Sequence, residues 1–243
     1  MCMRSTILFL SMISTAVVAQ DSTVRFSVSD STTMPLIDLQ SGRPTDGILY
    51  HLYLRIAEKL GRTPELLVTP RMRTQPLLTE EHVDANCYMN PAWLTDDAER
   101  YRWSVPFMTL RTALITRADT PKVGLAQLKG ERIGTVLGFQ YPEAAEQFSK
   151  GYLHRDDART ENQVLEKLAA GRNRYAIATE TALDWFNKDR PDCCHLQVIE
   201  RLIEFPVHCI VRDEENGLAD EILSALEQMG QDGEFEAIQA RYR

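Results

Sequence analysis

Past its first twenty residues the chain has no long apolar run, and a membrane-spanning helix needs about 20 such residues in a row. It also lacks a positive excess: 27 Lys and Arg stand against 35 Asp and Glu, for a formal net charge of −8. That balance argues against nucleic acid or an anionic lipid surface as a partner. Phosphate-cradling glycines are missing too, because Gly134 and Gly138 are four apart and neither G-x-G-x-x-G nor G-K-[ST] occurs. His51, His82, His154, His195 and His208 are scattered without Ser–His–Asp spacing. The Cys193-Cys194-His195 run has no second pair at metal-ligand spacing. No catalytic residue, metal or cofactor is therefore expected.

What is present begins with an export signal. Met1 to Arg4 carry one positive charge, Ser5 to Val18 are mostly apolar, and Val17-Val18-Ala19 suits cleavage. A signal peptide is expected over residues 1–19, with the rest exported to the periplasm. Losing Arg4 leaves 26 basic against 35 acidic residues, a net charge of −9. Cys2 lies inside the signal, so no lipid anchor is expected. Cys87, Cys193, Cys194 and Cys209 remain, with three possible pairings in an oxidising compartment. A bridge between the adjacent Cys193 and Cys194 would be strained.

Strand and helix patterns alternate along the chain with no repeat or long Pro/Gly linker. "VRFSVS" (24–29) reads as a strand, and "DGILYHLYLRIAEKLG" (46–61) as a helix with Ile48, Leu49, Leu52, Ile56 and Leu60 on one face and Gly61 as its stop. "ELLVTP", "VDANCYM" and "RTALITRAD" (111–119) are further strands. A second series runs from the strand at Ile133–Leu137 through a helix at 142–149. "RTENQVLEKLAAG" follows with a Thr160…Gln163 capping box, then the strand "RYAIAT" and the helix "ETALDWF". "FPVHCIVRD" (205–213) reads as a last strand before two helices. Such alternation predicts mostly parallel sheets covered by helices, with ligands at the carboxyl ends of strands. The turn Gly138-Phe139-Gln140-Tyr141 before Pro142 is expected to offer backbone N–H groups to an acceptor.

Six segments then fall into one order. "VRFSVSDSTTMPL", "DGILYHLYLRIAEKLGRTPELL", "WSVPF" (103–107), "LKGERIGTVLG" (128–138), "VLEKLAAGRNRYAIA" (164–178) and "LADEILSALEQMGQDGEFEAIQARYR" together resemble the bacterial periplasmic solute-binding proteins of family 3. That group holds the receptors of polar amino-acid importers. The resemblance implies a two-lobed α/β fold, each lobe a mostly parallel sheet flanked by helices, joined by two crossings. Lobe 1 would be residues 20–115 and 205–243, and lobe 2 residues 116–204. It also implies a monomer that binds a small molecule and docks on an inner-membrane ABC permease, with no cofactor.

The resemblance carries over to the site position by position. Asp30 stands five before Pro35, as an acid does after the first strand in the amino-acid receptors, although Thr33 and Met34 replace the aromatic between them. The arginine that clamps a carboxylate in the family aligns near Asp96, with Arg100 and Arg102 the nearest substitutes. On lobe 2 the polar pair becomes Phe139-Gln140, and the acid for an amino group becomes Thr179 with Glu180 beside it. The expected ligand set is Asp30, Tyr88, Asn90, Trp93, Arg100, Gly138, Phe139, Gln140, Tyr141, Thr179 and Glu180.

Aromatic faces and two acids favour a ring or a cation, so the ligand is expected to be amino-acid-like, cationic or aromatic, while an ordinary α-amino acid fits poorly. Arg71 and Arg73 could enter the cleft from lobe 1, but a basic pair before a polar stretch is more commonly a solvated turn. Trp103 and Trp185 read as structural, with Trp185 on the apolar side of its helix. Two alternatives accompany the transport receptor. One is a periplasmic dehydratase on the same fold, with Glu180 as acid and Arg100 as clamp; the other is a sensor docked on a membrane signalling partner.

Overall fold

The computed structural model describes residues 23–39, 42–80, 82–94, 98–213 and 217–243. The expected signal peptide and Asp96 lie outside the described residues. In chain order the elements are β1 Thr23–Ser29, α1 Ile48–Leu60, β2 Thr63–Thr69, α2 Thr74–Thr79, β3 Ala85–Met89, β4 Arg102–Trp103 and β5 Met108–Arg117. Then come β6 Arg132–Val136, α3 Ala145–Ser149, β7 His154–Ala158, α4 Glu161–Ala169, β8 Tyr175–Thr179 and α5 Glu180–Asn187. The chain ends with β9 Leu196–Val211, α6 Leu218–Gln231 and α7 Glu234–Gln239. No helix among the described residues is long and apolar enough to cross a membrane.

This is an α/β protein with helices flanking its sheets. β1 lies between β2 and β3, parallel to both, and β6 lies between β7 and β8, parallel to both. Each parallel trio continues into antiparallel partners: β3 pairs with the far end of β9, and β8 pairs with β5. β5 and β9 run antiparallel to each other from Met108↔Val207 to Arg117↔Leu196, so one ribbon joins the two sheets. Positions 115 and 205, where the crossings were expected, both lie inside that ribbon.

Separate cores form on either side of it. Phe26, Leu52, Ile56 and Val207 pack with Ile222, Leu226 and Met229 around the first sheet. Leu165, Leu168 and Phe186 cover one face of the second sheet, and Leu125, Ile133 and Leu153 the other. Each such side chain contributes about 1.5–3 kcal/mol when fully buried.

Local signals account for the boundaries. Gly61 adopts φ 64° after α1, which a left-handed stop requires. Thr160 Oγ1 accepts from Gln163 N–H at α4, while the Gln163 side chain answers to the N–H of Arg159, one residue before the expected partner. The segment 142–149 is less than expected: Pro142–Ala144 form a 3₁₀ turn and α3 has five residues, too short for a sizeable macrodipole. β7, "HRDDA", went unread because it is a charged edge strand, where polar side chains are tolerated.

A disulfide joins Cys87 of β3 to Cys209 of β9, selecting one of the three open pairings, and Cys193 and Cys194 are free and exposed. Farther out, α7 is tied to α1 by Glu234, which meets Arg55 at 2.6 Å and Lys59 at 3.0 Å. The hydrogen bond from Arg55 lowers the Glu234 pKa from an ordinary 4.5 to about 2. A lowered acid pKa stabilises the fold fully above about 4.5, and the gain is lost as pH falls toward 2. Glu234→Gln is therefore expected to flatten the drop in melting temperature across that window, measured by circular dichroism.

Candidate functional site

The carboxyl ends of β1 and β3 face those of β6 and β8 across a cleft, the place where open α/β sheets hold ligands. Between them lies a cavity of about 60 Å³. At roughly 10–15 Å³ per water on this measure, that is room for a small solute. The first half supplies Ser27–Ser29, Thr32, Arg71, Thr74, Tyr88 and Trp93. The second half supplies Phe139, Gln140, Tyr141, Glu143, Glu161 and Thr179, with Leu110, Thr112 and Phe205 of the ribbon below.

Arg71 is the cation of this cavity. After β2, Pro70 opens a 3₁₀ turn, Arg71–Arg73, that carries Arg71 inward and leaves Arg73 outside, where it pairs with Glu80 at 3.4 Å. The Arg71 guanidinium carbon lies 5.9 Å from the Phe139 ring centroid, across the cleft. Burial lowers the Arg71 pKa, yet an arginine remains charged at neutral pH. Among the described residues no carboxylate lies within ion-pair distance of it. The solvated turn read from the sequence thus holds for Arg73 and fails for Arg71.

Tyr88 reaches the cavity through a backbone irregularity. The β3–β9 register shifts between Cys87 and Met89, leaving Tyr88 as the extra residue of a bulge with φ 78°. A non-glycine residue at positive φ is held there by its surroundings. Tyr88 is half-buried, with its phenol pKa raised mainly by desolvation, and it faces Glu161, Arg71 and Tyr141. The Trp93 ring tilts against Tyr88 at 5.8 Å and meets Phe205 edge-on at 5.5 Å.

The acids of the second half come from unexpected positions. Glu161, the first residue of α4, is buried, and its two oxygens accept from the N–H and hydroxyl of Thr179. That hydroxyl accepts in turn from the N–H of Ala182 and caps α5. Glu180 points elsewhere and pairs with Arg201 at 2.5 Å. Glu143 accepts a 2.9 Å bond from the Thr112 hydroxyl through Oε1, while its buried Oε2 has no partner. Desolvation raises the pKa of both Glu143 and Glu161. Neither acid was singled out from sequence: Glu161 stands inside the Thr160…Gln163 capping box without belonging to the pair, and Glu143 follows Pro142.

The glycine turn is pinned from behind. Arg155 donates to the carbonyls of Val136 and Phe139 at 2.8 and 3.0 Å and stacks 5.1 Å over the Tyr141 ring. The Tyr141 hydroxyl accepts from the N–H of Val136. Gly138, at φ 78°, does not line the cavity. A Cβ there would stand 3.3 Å from the sulfur of Met72, so the position serves close approach of the two halves.

Six of the expected residues, Tyr88, Trp93, Phe139, Gln140, Tyr141 and Thr179, line the cavity, and five do not. Asp30 is exposed beyond β1, and its N–H donates to the carbonyl of Thr69. Asn90 is buried but spends its amide on Pro206 and Ala92. Arg100 is exposed on a 3₁₀ turn. Glu180 and Gly138 complete the five. Trp103 donates to the carbonyl of Ala98, a structural role. Trp185, expected on the apolar side of α5, is half-buried and packs against Tyr242 of the other half at 6.2 Å. No metal-ligating group of three or more His, Cys, Asp or Glu exists among the described residues.

Comparison with known proteins agrees with this geometry. An ancestral arginine-binding protein bound to arginine superposes with a TM-score of 0.75 at 20% identity, covering 91% of this chain and 98% of that one. The ancestral amino acid-binding protein AncCDT-1, a precursor of cyclohexadienyl dehydratase, matches with a TM-score of 0.74 at 18% identity over 91% of this chain and 95% of the other. A histidine kinase sensor domain with similarity to periplasmic binding proteins matches at 0.72 and 22% identity, over 90% and 95% of the two chains. No curated protein matches the chain. The structural likenesses establish the fold, and the family model for bacterial extracellular solute-binding proteins, family 3, matches residues 28–243, so the chain belongs to that family.

Proposed function

We propose that the protein is a periplasmic receptor that closes over a small carboxylate-bearing solute and delivers it to an inner-membrane ABC importer. One observation carries this reading: Arg71 is a desolvated cation at the cleft with no carboxylate partner among the described residues. Arg71 is half-buried, an unpaired and partly desolvated charge is costly, and a planar oxyanion from the ligand would supply the missing partner through paired hydrogen bonds. The ligand would touch Arg71 and Tyr88 on one side and Phe139, Gln140 and Glu143 on the other. Such differential contact shifts the population from open to closed. The two lobes correspond to the two sheets, with the β5–β9 ribbon between them, and the receptor works as a monomer.

A melting-temperature screen over small carboxylates, amino acids, polyamines and sugars tests the reading. A true ligand at 100 times its Kd stabilises by about 2.7 kcal/mol, roughly 5–10 °C for a chain of this size. Carboxylates should produce the shift, whereas a shift confined to polyamines or sugars refutes the assignment.

The buried, unpartnered Oε2 of Glu143 favours a second reading, a dehydratase. A raised pKa beside a carboxylate anchor suits a general acid. In that reading Glu143 and Arg71 take the roles first expected of Glu180 and Arg100. Cyclohexadienyl acids incubated with pure protein would yield aromatic product from an enzyme and return unchanged from a receptor. Sensing instead of import requires the same closure, and co-purification with a permease or a membrane kinase separates the two.

A further inference from the structure

Resting on that reading, we infer that the site selects a small organic acid whose second polar group is a hydroxyl or carbonyl, not an ammonium. The argument is a count of hydrogen-bond valences around the cavity. At one end, Arg71 offers a fork of donors, and the hydroxyl of Thr74, on the same turn, is buried with no partner. Both suit one carboxylate.

At the other end an ammonium would need about three acceptors to satisfy its three N–H bonds. Glu161 has both oxygens committed to Thr179, and that hydroxyl is itself committed to capping α5. This acid closes its own circuit. Glu143 has one oxygen held by Thr112 and a single buried oxygen free. Even with the amide oxygen of Gln140, which also lines the cavity, this falls short of three acceptors; the one free carboxyl oxygen matches one hydroxyl, or, when Glu143 is protonated, one carbonyl. Tyr88 and Tyr141, which face Glu161, are neutral phenols with burial-raised pKa values and add no counter-charge. Arg71 therefore stands as the net charge of the wall whenever the two acids hold protons.

Calorimetry on the full exported chain with two matched series tests the inference: pyruvate, lactate and alanine, and their phenyl-substituted counterparts phenylpyruvate, phenyllactate and phenylalanine. The keto or hydroxy member is expected to bind at least about ten-fold tighter than the amine of the same skeleton. Glu143→Ala should erase that preference, and Glu143→Gln, whose amide oxygen keeps the bond from Thr112 and whose N–H groups donate to a ligand hydroxyl or carbonyl, should restore most of it. Tighter binding of alanine or phenylalanine overturns the inference while leaving carboxylate capture intact. Failure of all six to bind overturns it as well, and a blank carboxylate screen alongside would remove the receptor reading with it.

Discussion

Arg71→Ala is expected to cost carboxylate binding about 2–5 kcal/mol, the usual effect of truncating one partner of a buried charge pair, which is thirty-fold or more in Kd. Titration calorimetry with whichever carboxylate shifts the melting temperature reads the effect directly. Stability should move little, or rise, because the empty protein carries this cation desolvated and without a counter-ion. That opposite pair of outcomes separates a binding residue from a structural one. Arg71→Lys should fail nearly as badly, since an ammonium cannot present two parallel donors to one carboxylate. Unchanged affinity in both variants would mean that the anion binds elsewhere.

The second large effect concerns the disulfide. Cys87 and Cys209 are 122 residues apart and bracket the whole inserted half. Without the bond, folding the first sheet must close that long excursion at full entropic cost. In the chain-entropy view a loop of this size is worth roughly 4–5 kcal/mol, and removals in practice cost about 2–5. The Cys87→Ser, Cys209→Ser double variant should melt about 10 °C lower by calorimetry. Tyr88 follows Cys87 at the bulge, so ligand affinity should fall more than melting alone accounts for. Equal melting of the oxidised and double-variant proteins would show that β3 and β9 hold together without the bond.

Much of the fold was legible because period and punctuation agree. α1 shows its apolar face at Ile48, Leu49, Leu52 and Ile56 and its stop at Gly61, and burial follows that face. The turn 138–141 was recognisable as a strand-to-helix connection at a ligand end. The site was only half legible, for a physical reason. Phe139, Gln140 and Tyr141 follow a strand end and Thr179 closes one, where sequence order predicts position. Arg71, Glu143 and Glu161 arrive by long side chains from two 3₁₀ turns and one helix start, and sequence spacing does not record how far such chains reach or where they bend. Asp30 and Glu180 illustrate the converse: both follow a strand end, yet one is exposed and the other is drawn off by Arg201.

The ribbon of β5 and β9 makes the molecule behave less like two bodies on strings than like two plates on a leaf spring. Since ten residues of β5 are bonded to β9 along their length, separation of the plates has to be absorbed as distributed twist. The register slips at Thr112/Ala113 and Leu114/Ile115 are where the spring is thinnest, and Pro206, which has no N–H to give, loosens its far end. Residues at those points would set how fast a bound solute is let go, and Thr112, which holds Glu143, links one of them directly to the site.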